Sequence, residues 1–113
     1  MTLDNARPLS SKPAPSGFTD KSLMLMGAAL RSLQIAGAME TMLEMTVRYS
    51  NERVAFEKKI SKFQAVQQVL AIFATEAAAV NVAGAAAAAA LDRAGGDAEA
   101  VLFEIACAKL RTN

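Results

Sequence analysis

The stretch SKFQAVQQVLAIFATEAAAVNVAGAAAAAALDRAGGD, residues 61–97, decides the fold, because its apolar residues recur every three or four positions from Phe63 onwards. This spacing predicts a long helix with one buried face. The SKFQ sequence at its start is typical of a capping box, in which the Ser61 hydroxyl accepts the N–H of Gln64. Gly95 suits the left-handed position that follows a helix, so we expect the helix to end in the DRAGGD segment.

The predicted buried face of this helix narrows along its length. It comprises Phe63, Val66, Leu70, Phe73, Ala77, Val80, Gly84, Ala87 and Leu91. Because the side chains shrink from phenylalanine to alanine and glycine, neighbouring helices are expected to approach more closely towards the C-terminal end. Gly84 costs about 1 kcal/mol of helix propensity relative to alanine, and close helix packing at that point would offset this cost.

A second long helix is predicted on the N-terminal side, from about Thr19 to Asn51, with Thr19 or Asp20 as its cap. Two neighbouring apolar stripes are predicted to form its buried face. The first comprises Leu23, Met26, Leu30, Leu33 and Gly37, and the second comprises Ala36, Met39, Leu43, Val47 and Ser50. Residues 1–17 contain three prolines, so we interpret them as an extended leader before a helical domain at 18–113.

A third, shorter helix is predicted after the glycine pair. Asp97 is its expected N-cap, and its expected buried residues are Val101, Leu102, Ile105 and Ala108. The alternation that is typical of strands is not visible in the sequence. Long helices with short connectors pack antiparallel, so the predicted fold is all-α, an antiparallel helical bundle of two long helices plus a shorter third helix. Its apolar faces are wider than three helices can bury on each other, which predicts self-association into a homodimer or tetramer.

The composition argues against several classes of function. The 113 residues include 12 basic and 11 acidic ones, and the net charge of +1 argues against a nucleic-acid partner. The chain has no histidine and one cysteine, Cys107, so we expect no histidine-based catalysis and no metal site, and we interpret Cys107 as a small core residue. The N-terminus lacks the apolar segment of a signal peptide, and the apolar run 77–91 is too short and too alanine-rich for a bilayer. We therefore expect a cytoplasmic protein with no membrane partner.

The segment NERVAFEKKISKFQAVQQ, residues 51–68, differs from its surroundings because basic residues and phenylalanines crowd together in it. Taken alone, such a segment is usually a solvated connector between two helices. The alternative is an anion site, because the guanidinium of Arg53 offers a planar fork of donors and a helix N-terminus offers unpaired N–H groups. Composition and charge leave both interpretations open.

Two spaced motifs around this segment carry a family resemblance. Tyr49, Arg53 and Phe56 match a Y-x-x-x-R-x-x-F pattern at the end of a long helix, and Phe63 and Gln64 open a following F-Q-x-V-Q pattern. Either motif alone is weak, whereas their combined spacing is more specific. Together they resemble the C-terminal helical domain of the acyl-CoA dehydrogenases, and the resemblance covers nearly the whole chain.

The resemblance implies an FAD-dependent oxidoreductase that desaturates acyl-CoA thioesters between the α and β carbons and assembles as a homo-oligomer. It implies cofactor contacts through Arg53, Phe56, Phe63 and Gln64, whose counterparts reach the adenosine and pyrophosphate of a neighbouring subunit's flavin. The LDNAR sequence, residues 3–7, resembles the exit from a preceding β-domain, so the chain resembles a fragment cut at both ends. We therefore expect the isolated chain not to bind FAD, and acyl-CoA to bind only the intact protein.

Several positions depart from the family pattern. Glu57 stands where the family has glycine, and it places a negative charge beside the expected pyrophosphate site. Leu25 and Ala28 stand where many members have substrate contacts. The glutamate that removes the substrate's α-proton in the family has no counterpart in this chain. In some members its position matches Gly27 here, and in others it lies in a later helix, beyond Asn113. We expect no catalytic residue in this chain, and its sequence identifies neither the acyl group nor the electron acceptor.

A competing hypothesis is a non-enzymatic helical module for self-assembly that binds no cofactor. In that case the helical hairpin serves oligomerisation, and its basic tip only keeps the protein in solution. Binding of FAD to the intact gene product separates the two hypotheses.

Overall fold

The computed structural model describes residues 7–113 as an all-α bundle. Two long helices, α1 (Asp20–Glu52) and α2 (Gln64–Arg93), are joined by a connector, and a third helix, α3 (Leu102–Arg111), follows. The connector contains two short strands, β1 (Val54–Ala55) and β2 (Lys58–Lys59), and a 3₁₀ helix at Ile60–Lys62. The structure confirms the predicted class and the predicted pair of long helices with a shorter third, but the two strands were not predicted.

The leader in front of α1 forms no helix or strand over residues 7–17, and these residues are exposed. The N–H of Phe18 donates to the carbonyl of Pro15 at 3.1 Å, which closes a turn just before α1. Positions 3–6 of the LDNAR sequence lie outside the described residues, so the resemblance to a β-domain exit stays a prediction.

The two long helices begin in different ways. Thr19 caps α1, as predicted: its Oγ1 accepts the Ser22 N–H at 3.1 Å, and the Ser22 Oγ accepts the Thr19 N–H at 3.2 Å. The predicted capping box at the start of α2 is wrong, because Ser61 lies in the 3₁₀ helix and Phe63 occupies the N-cap position without a side-chain hydrogen bond. The N–H of Phe63 donates to the carbonyl of Ile60, so the chain completes a 3₁₀ turn before α2 begins.

The end of α2 agrees with the prediction, whereas the start of α3 does not. Gly95 adopts a φ of 63°, and hydrogen bonds from the two glycine N–H groups to the last turn of α2 form a Schellman motif. Asp97 does accept backbone N–H groups, from Glu99 and Ala100, but it caps an isolated turn, and α3 begins only at Leu102. Leu102 is exposed, contrary to the prediction. The other predicted core residues of α3 are buried, namely Val101, Ile105 and Ala108.

The predicted first stripe of α1 is wrong by about one residue. The buried residues of α1 are Ser22, Leu25, Ala29, Ser32, Ala36 and Ser50. Leu23 and Leu30 are exposed instead, and of the second stripe only Ala36 and Ser50 are fully buried. Small side chains on this face allow α2 to approach closely, so they are favoured at the contact over the larger leucines.

The predicted stripe of α2 lies on the packed face of that helix. Ala77, Val80, Gly84 and Ala87 are buried, and the remaining five residues of the stripe are half-buried. A Cβ placed on Gly84 would lie 3.4 Å from Leu33 Cδ2 and 3.8 Å from Ala36 Cβ, in ordinary van der Waals contact, so α1 lies against α2 at this point but leaves room for an alanine. The packing pairs Leu25 and Ala29 of α1 with Ala90 near the end of α2, so the two helices run antiparallel.

Polar side chains join the three helices at two exposed places. Glu99, in the turn before α3, accepts hydrogen bonds from Thr19 and Ser22 and forms an ion pair with Lys21 at 3.2 Å. These contacts, with the Thr19 hydrogen bond the largest, lower the pKa of the Glu99 carboxyl below its ordinary value. Arg111 of α3 donates to Glu76 of α2, a contact that ties the end of α3 to the middle of α2.

Two features of the surface bear on the earlier expectations. Cys107 is exposed on α3, so its interpretation as a core residue is wrong. By length and composition, α1 and α2 are each apolar enough to cross a membrane, a property they share with core helices of soluble proteins. The prediction of no membrane partner therefore stays a prediction.

Candidate functional site

The connector between α1 and α2 is a β-hairpin with a strained turn. Its strands pair antiparallel, with Val54 opposite Lys59 and Ala55 opposite Lys58. The two loop residues, Phe56 and Glu57, both have positive φ, 52° and 66°. Positive φ at both central residues is the requirement of a type I′ turn, which normally contains asparagine, aspartate or glycine. Here two ordinary L-residues occupy it, at a cost in backbone strain.

Two phenylalanines and a lysine meet at this hairpin. The rings of Phe56 and Phe63 pack edge to face, with centroids 6.3 Å apart and an interplanar angle of 82°. The Lys58 Nζ lies 4.3 Å from the centroid of the Phe63 ring, within the range of a cation–π interaction. Phe56 is nevertheless 89% exposed at the tip of the turn, so most of its ring surface is free for contact with another planar group.

Arg53 lies at the base of the same hairpin. It is the C-cap of α1, where its N–H donates to the carbonyl of Tyr49 at 2.8 Å, and its own carbonyl accepts the N–H of Ile60 at 2.9 Å. These bonds fix the backbone of Arg53 between the two helices. Within residues 7–113 the ion pairs involve only Lys21, Glu99, Arg111 and Glu76, so the exposed guanidinium of Arg53 forms none.

The N-terminus of α2 opens beside the hairpin. Phe63 provides no side-chain acceptor as N-cap, and the first turn contains no acidic residue. The N–H groups of this turn and the positive end of the helix dipole therefore lack an internal anion. Gln64, the first residue of the helix, is exposed, and the side chain of Gln67 donates to the Ser61 carbonyl at 2.9 Å.

Three of the four residues predicted to contact a cofactor thus lie in this connector, and the fourth, Gln64, is the first residue of α2. Phe56 and Phe63 are in direct contact, and Arg53 and Gln64 flank the hairpin at the end of α1 and the start of α2. The sequence prediction missed Lys58, although the pair of lysines after the turn was a signal that a cation lies close to the aromatic residues.

The chemistry of these side chains suits an anionic ligand with a planar ring. A guanidinium, an ammonium, an amide and open helix N–H groups are donors for phosphate oxygens, and an exposed phenyl ring can stack on a base. These properties fit the adenosine pyrophosphate part of FAD, although the carboxylate of Glu57 at the turn opposes an anion. Within the described part of the chain, residues 7–113, no group of three or more His, Cys, Asp or Glu side chains is placed to hold a metal ion.

Comparison with models of protein families assigns the chain to one of them. The family model described as acyl-CoA dehydrogenase, C-terminal domain, matches residues 18–113. The chain belongs to this family. The resemblance drawn from the two motifs is therefore confirmed, together with the helical fold that it implied. Neither a curated protein nor a solved structure gave a significant match.

Proposed function

We propose that this chain is the C-terminal domain of an FAD-dependent acyl-CoA dehydrogenase-like oxidoreductase, which desaturates acyl-CoA thioesters. In this proposal the domain supplies contacts to FAD and part of the oligomer interface, and the assembly is a homodimer or tetramer. Family membership supports the reaction class. The single observation that carries the cofactor contact is the connector hairpin, which holds an exposed Phe56 against Phe63 between Arg53 and the open end of α2.

Each residue of the connector has a distinct role in this proposal. Phe56 and Phe63 form an apolar platform for the adenine ring, and Lys58 above Phe63 adds positive charge beside it. The fork of Arg53 suits pyrophosphate oxygens, and Gln64 contributes an amide at the start of α2. The α2 dipole favours an anion at the same place.

The chain's own residues bind and orient in this proposal, and none of them transfers a proton. FAD, when bound, supplies the acceptor for the hydride that leaves the substrate's β-carbon. Gly27, which stands at a family glutamate position, cannot act as a base. The acyl-CoA substrate is therefore bound and deprotonated by the intact protein, not by this chain alone.

The test of the cofactor contact is FAD binding by the full-length gene product and two arginine variants. Arg53→Ala removes a charge-assisted contact worth about 1.5–3 kcal/mol, so FAD should bind about 10- to 150-fold more weakly. Arg48→Ala is the matched control, because Arg48 is an exposed arginine on α1, five residues earlier. A full-length product that binds no flavin, or an Arg53→Ala variant with unchanged affinity, would contradict the proposal.

The alternative is a non-enzymatic self-assembly module with no cofactor. The large exposed apolar residues along both long helices favour it, because they need a covering partner whether or not FAD binds. In that case the full-length product assembles normally and lacks flavin. We further propose a cytoplasmic location without a membrane or nucleic-acid partner. Cell fractionation tests the location, and we expect to recover the protein in the soluble fraction.

A further inference from the structure

Glu57 is the only acidic residue in the connector, residues 53–63, which contains four basic residues. Its side chain is exposed at the tip of the turn, and it forms no ion pair with any residue of the described range 7–113. The ammonium of the neighbouring Lys58 lies 4.3 Å from the centroid of the Phe63 ring instead. A carboxylate without a cationic partner repels phosphate groups but accepts hydrogen bonds from hydroxyl groups.

The backbone holds Glu57 in this place against its conformational preference. Its φ of 66° lies in the left-handed region, next to Phe56 with a φ of 52°. Glycine would adopt this conformation without strain, so the glutamate is present at a cost in stability. Strained residues are concentrated at binding sites, where the side chain that they carry has a function. The strain therefore supports a role for the carboxylate that glycine cannot fill.

The hairpin places different chemical groups at its base and at its tip. The carbonyl of Arg53 accepts the N–H of Ile60 at the base, strand β1 follows, and Phe56 and Glu57 form the tip. A strand rises about 3.3 Å per residue, so about 10 Å separate the backbone of Arg53 from that of Phe56. A ligand that stacks its ring on Phe56 and extends its phosphates to Arg53 has its sugar between these groups. The adjacent side chain of Glu57 lies within reach of that sugar.

A ribose is the sugar that a carboxylate recognises best. Its 2′ and 3′ hydroxyls lie on adjacent carbons, and the two oxygens of a carboxylate can accept a hydrogen bond from each. An acidic residue recognises a ribose hydroxyl in this way in many dinucleotide-binding proteins. A phosphate on either hydroxyl removes a donor and adds negative charge, so the same carboxylate would repel it.

This selectivity matters because the proposed enzyme binds two different adenosine diphosphate groups. The adenosine of FAD has free ribose hydroxyls, whereas the adenosine of acyl-CoA has a 3′-phosphate. We propose that Glu57 accepts hydrogen bonds from the ribose hydroxyls of FAD and excludes the 3′-phosphorylated adenosine of CoA from the flavin site. This inference rests on the proposed function, since it requires that the hairpin contacts FAD, and it adds the residue that selects between the two nucleotides.

The test is competition for FAD uptake by the full-length gene product after removal of its flavin. The competitors are ADP and adenosine 3′-phosphate 5′-diphosphate, which differ only in the 3′-phosphate. We expect ADP to compete at least about tenfold more strongly, which is the lower end of the effect of one charge-assisted hydrogen bond. Because the readout is FAD uptake, binding of the phosphorylated competitor at the separate acyl-CoA site is not measured.

Three variants assign the selectivity to the carboxylate. Glu57→Gln keeps the size of the side chain and removes its charge, so the two competitors should become nearly equal. Glu57→Gly should also lose the preference for ADP, although its turn is free of strain, which separates selectivity from the stability of the hairpin. Glu44→Gln is the matched control, because it removes the same charge from an exposed site on α1 about two turns before the hairpin, and it should keep the preference. Equal competition in the unmodified protein, or a preference that Glu57→Gln leaves intact, would overturn the inference.

The failure of this inference and the failure of the proposed function give different results. FAD uptake that depends on Arg53 but is inhibited equally by both competitors retains the proposed function and overturns the role of Glu57. A folded full-length product that takes up no FAD overturns both.

Discussion

Replacement of Glu57 by glycine should stabilise the protein, because the connector turn holds an L-residue in a conformation that glycine adopts without strain. Glu57 has a φ of 66°. The left-handed conformation costs an L-residue about 1–2 kcal/mol, and glycine removes this cost. Glycine also gives the unfolded chain more conformational freedom, which reduces the gain in stability by about 0.4–1 kcal/mol. The expected net gain is about 1 kcal/mol, or a rise in Tm of about 4–8 °C for a domain of this size.

Denaturant unfolding at a fixed protein concentration measures this gain. Glu57→Ala separates the backbone from the charge, because alanine removes the carboxylate but keeps the Cβ, and it should leave stability nearly unchanged. Glu44→Gly controls for glycine itself, since this exposed helical site should lose about 1 kcal/mol. If Glu57→Gly and Glu57→Ala stabilise equally, charge rather than backbone strain is responsible, and if Glu57→Gly destabilises, the turn is not strained.

Three further predictions concern the packing and the polar contacts of the helices. Gly84→Ala should stabilise the fold by up to about 1 kcal/mol, because the added Cβ would make only ordinary contacts with α1. Gly84→Leu should destabilise it by about 1–3 kcal/mol through overpacking. Thermal unfolding of the two variants measures both effects. The hydrogen bond from Thr19 is the largest cause of the lowered pKa of Glu99. The Glu99 carboxylate therefore stabilises the fold at pH values above its ordinary pKa of 4.5, and this stabilisation is lost as the pH falls through the lowered pKa. Glu99→Gln should flatten the loss of stability in that acid range. A double-mutant cycle on Arg111 and Glu76 should give a coupling of about 0.2–1 kcal/mol, since both side chains are partly exposed, and a larger coupling would show a less solvated pair.

The helices could be predicted from the sequence because periodicity and end signals agree. Thr19 and Gly95 mark the ends of α1 and α2 in both the sequence and the structure. The buried face of α1 could not be predicted, because this helix has apolar residues on every side and periodicity alone cannot select among them. The start of α3 was predicted too early because an aspartate such as Asp97 caps an isolated turn as readily as a helix.

The family could be predicted from the sequence, whereas the geometry around the candidate site residues could not. The spacing of Arg53, Phe56 and Phe63 identified the family, and the family match confirmed it. The hairpin escaped prediction because two-residue strands are too short for alternation and because Phe56 and Glu57 are not turn-forming residue types. The contact of Lys58 with the Phe63 ring depends on the pairing of the two strands, which sequence spacing alone does not determine.

The flavin content of the full-length gene product tests the central proposal most directly. We predict that the protein purifies with FAD in a fixed ratio to its chains, that Arg48→Ala retains this ratio, and that Arg53→Ala lowers it. Purified full-length protein that is folded and assembled, contains no flavin and does not take up added FAD would contradict the proposed cofactor contact.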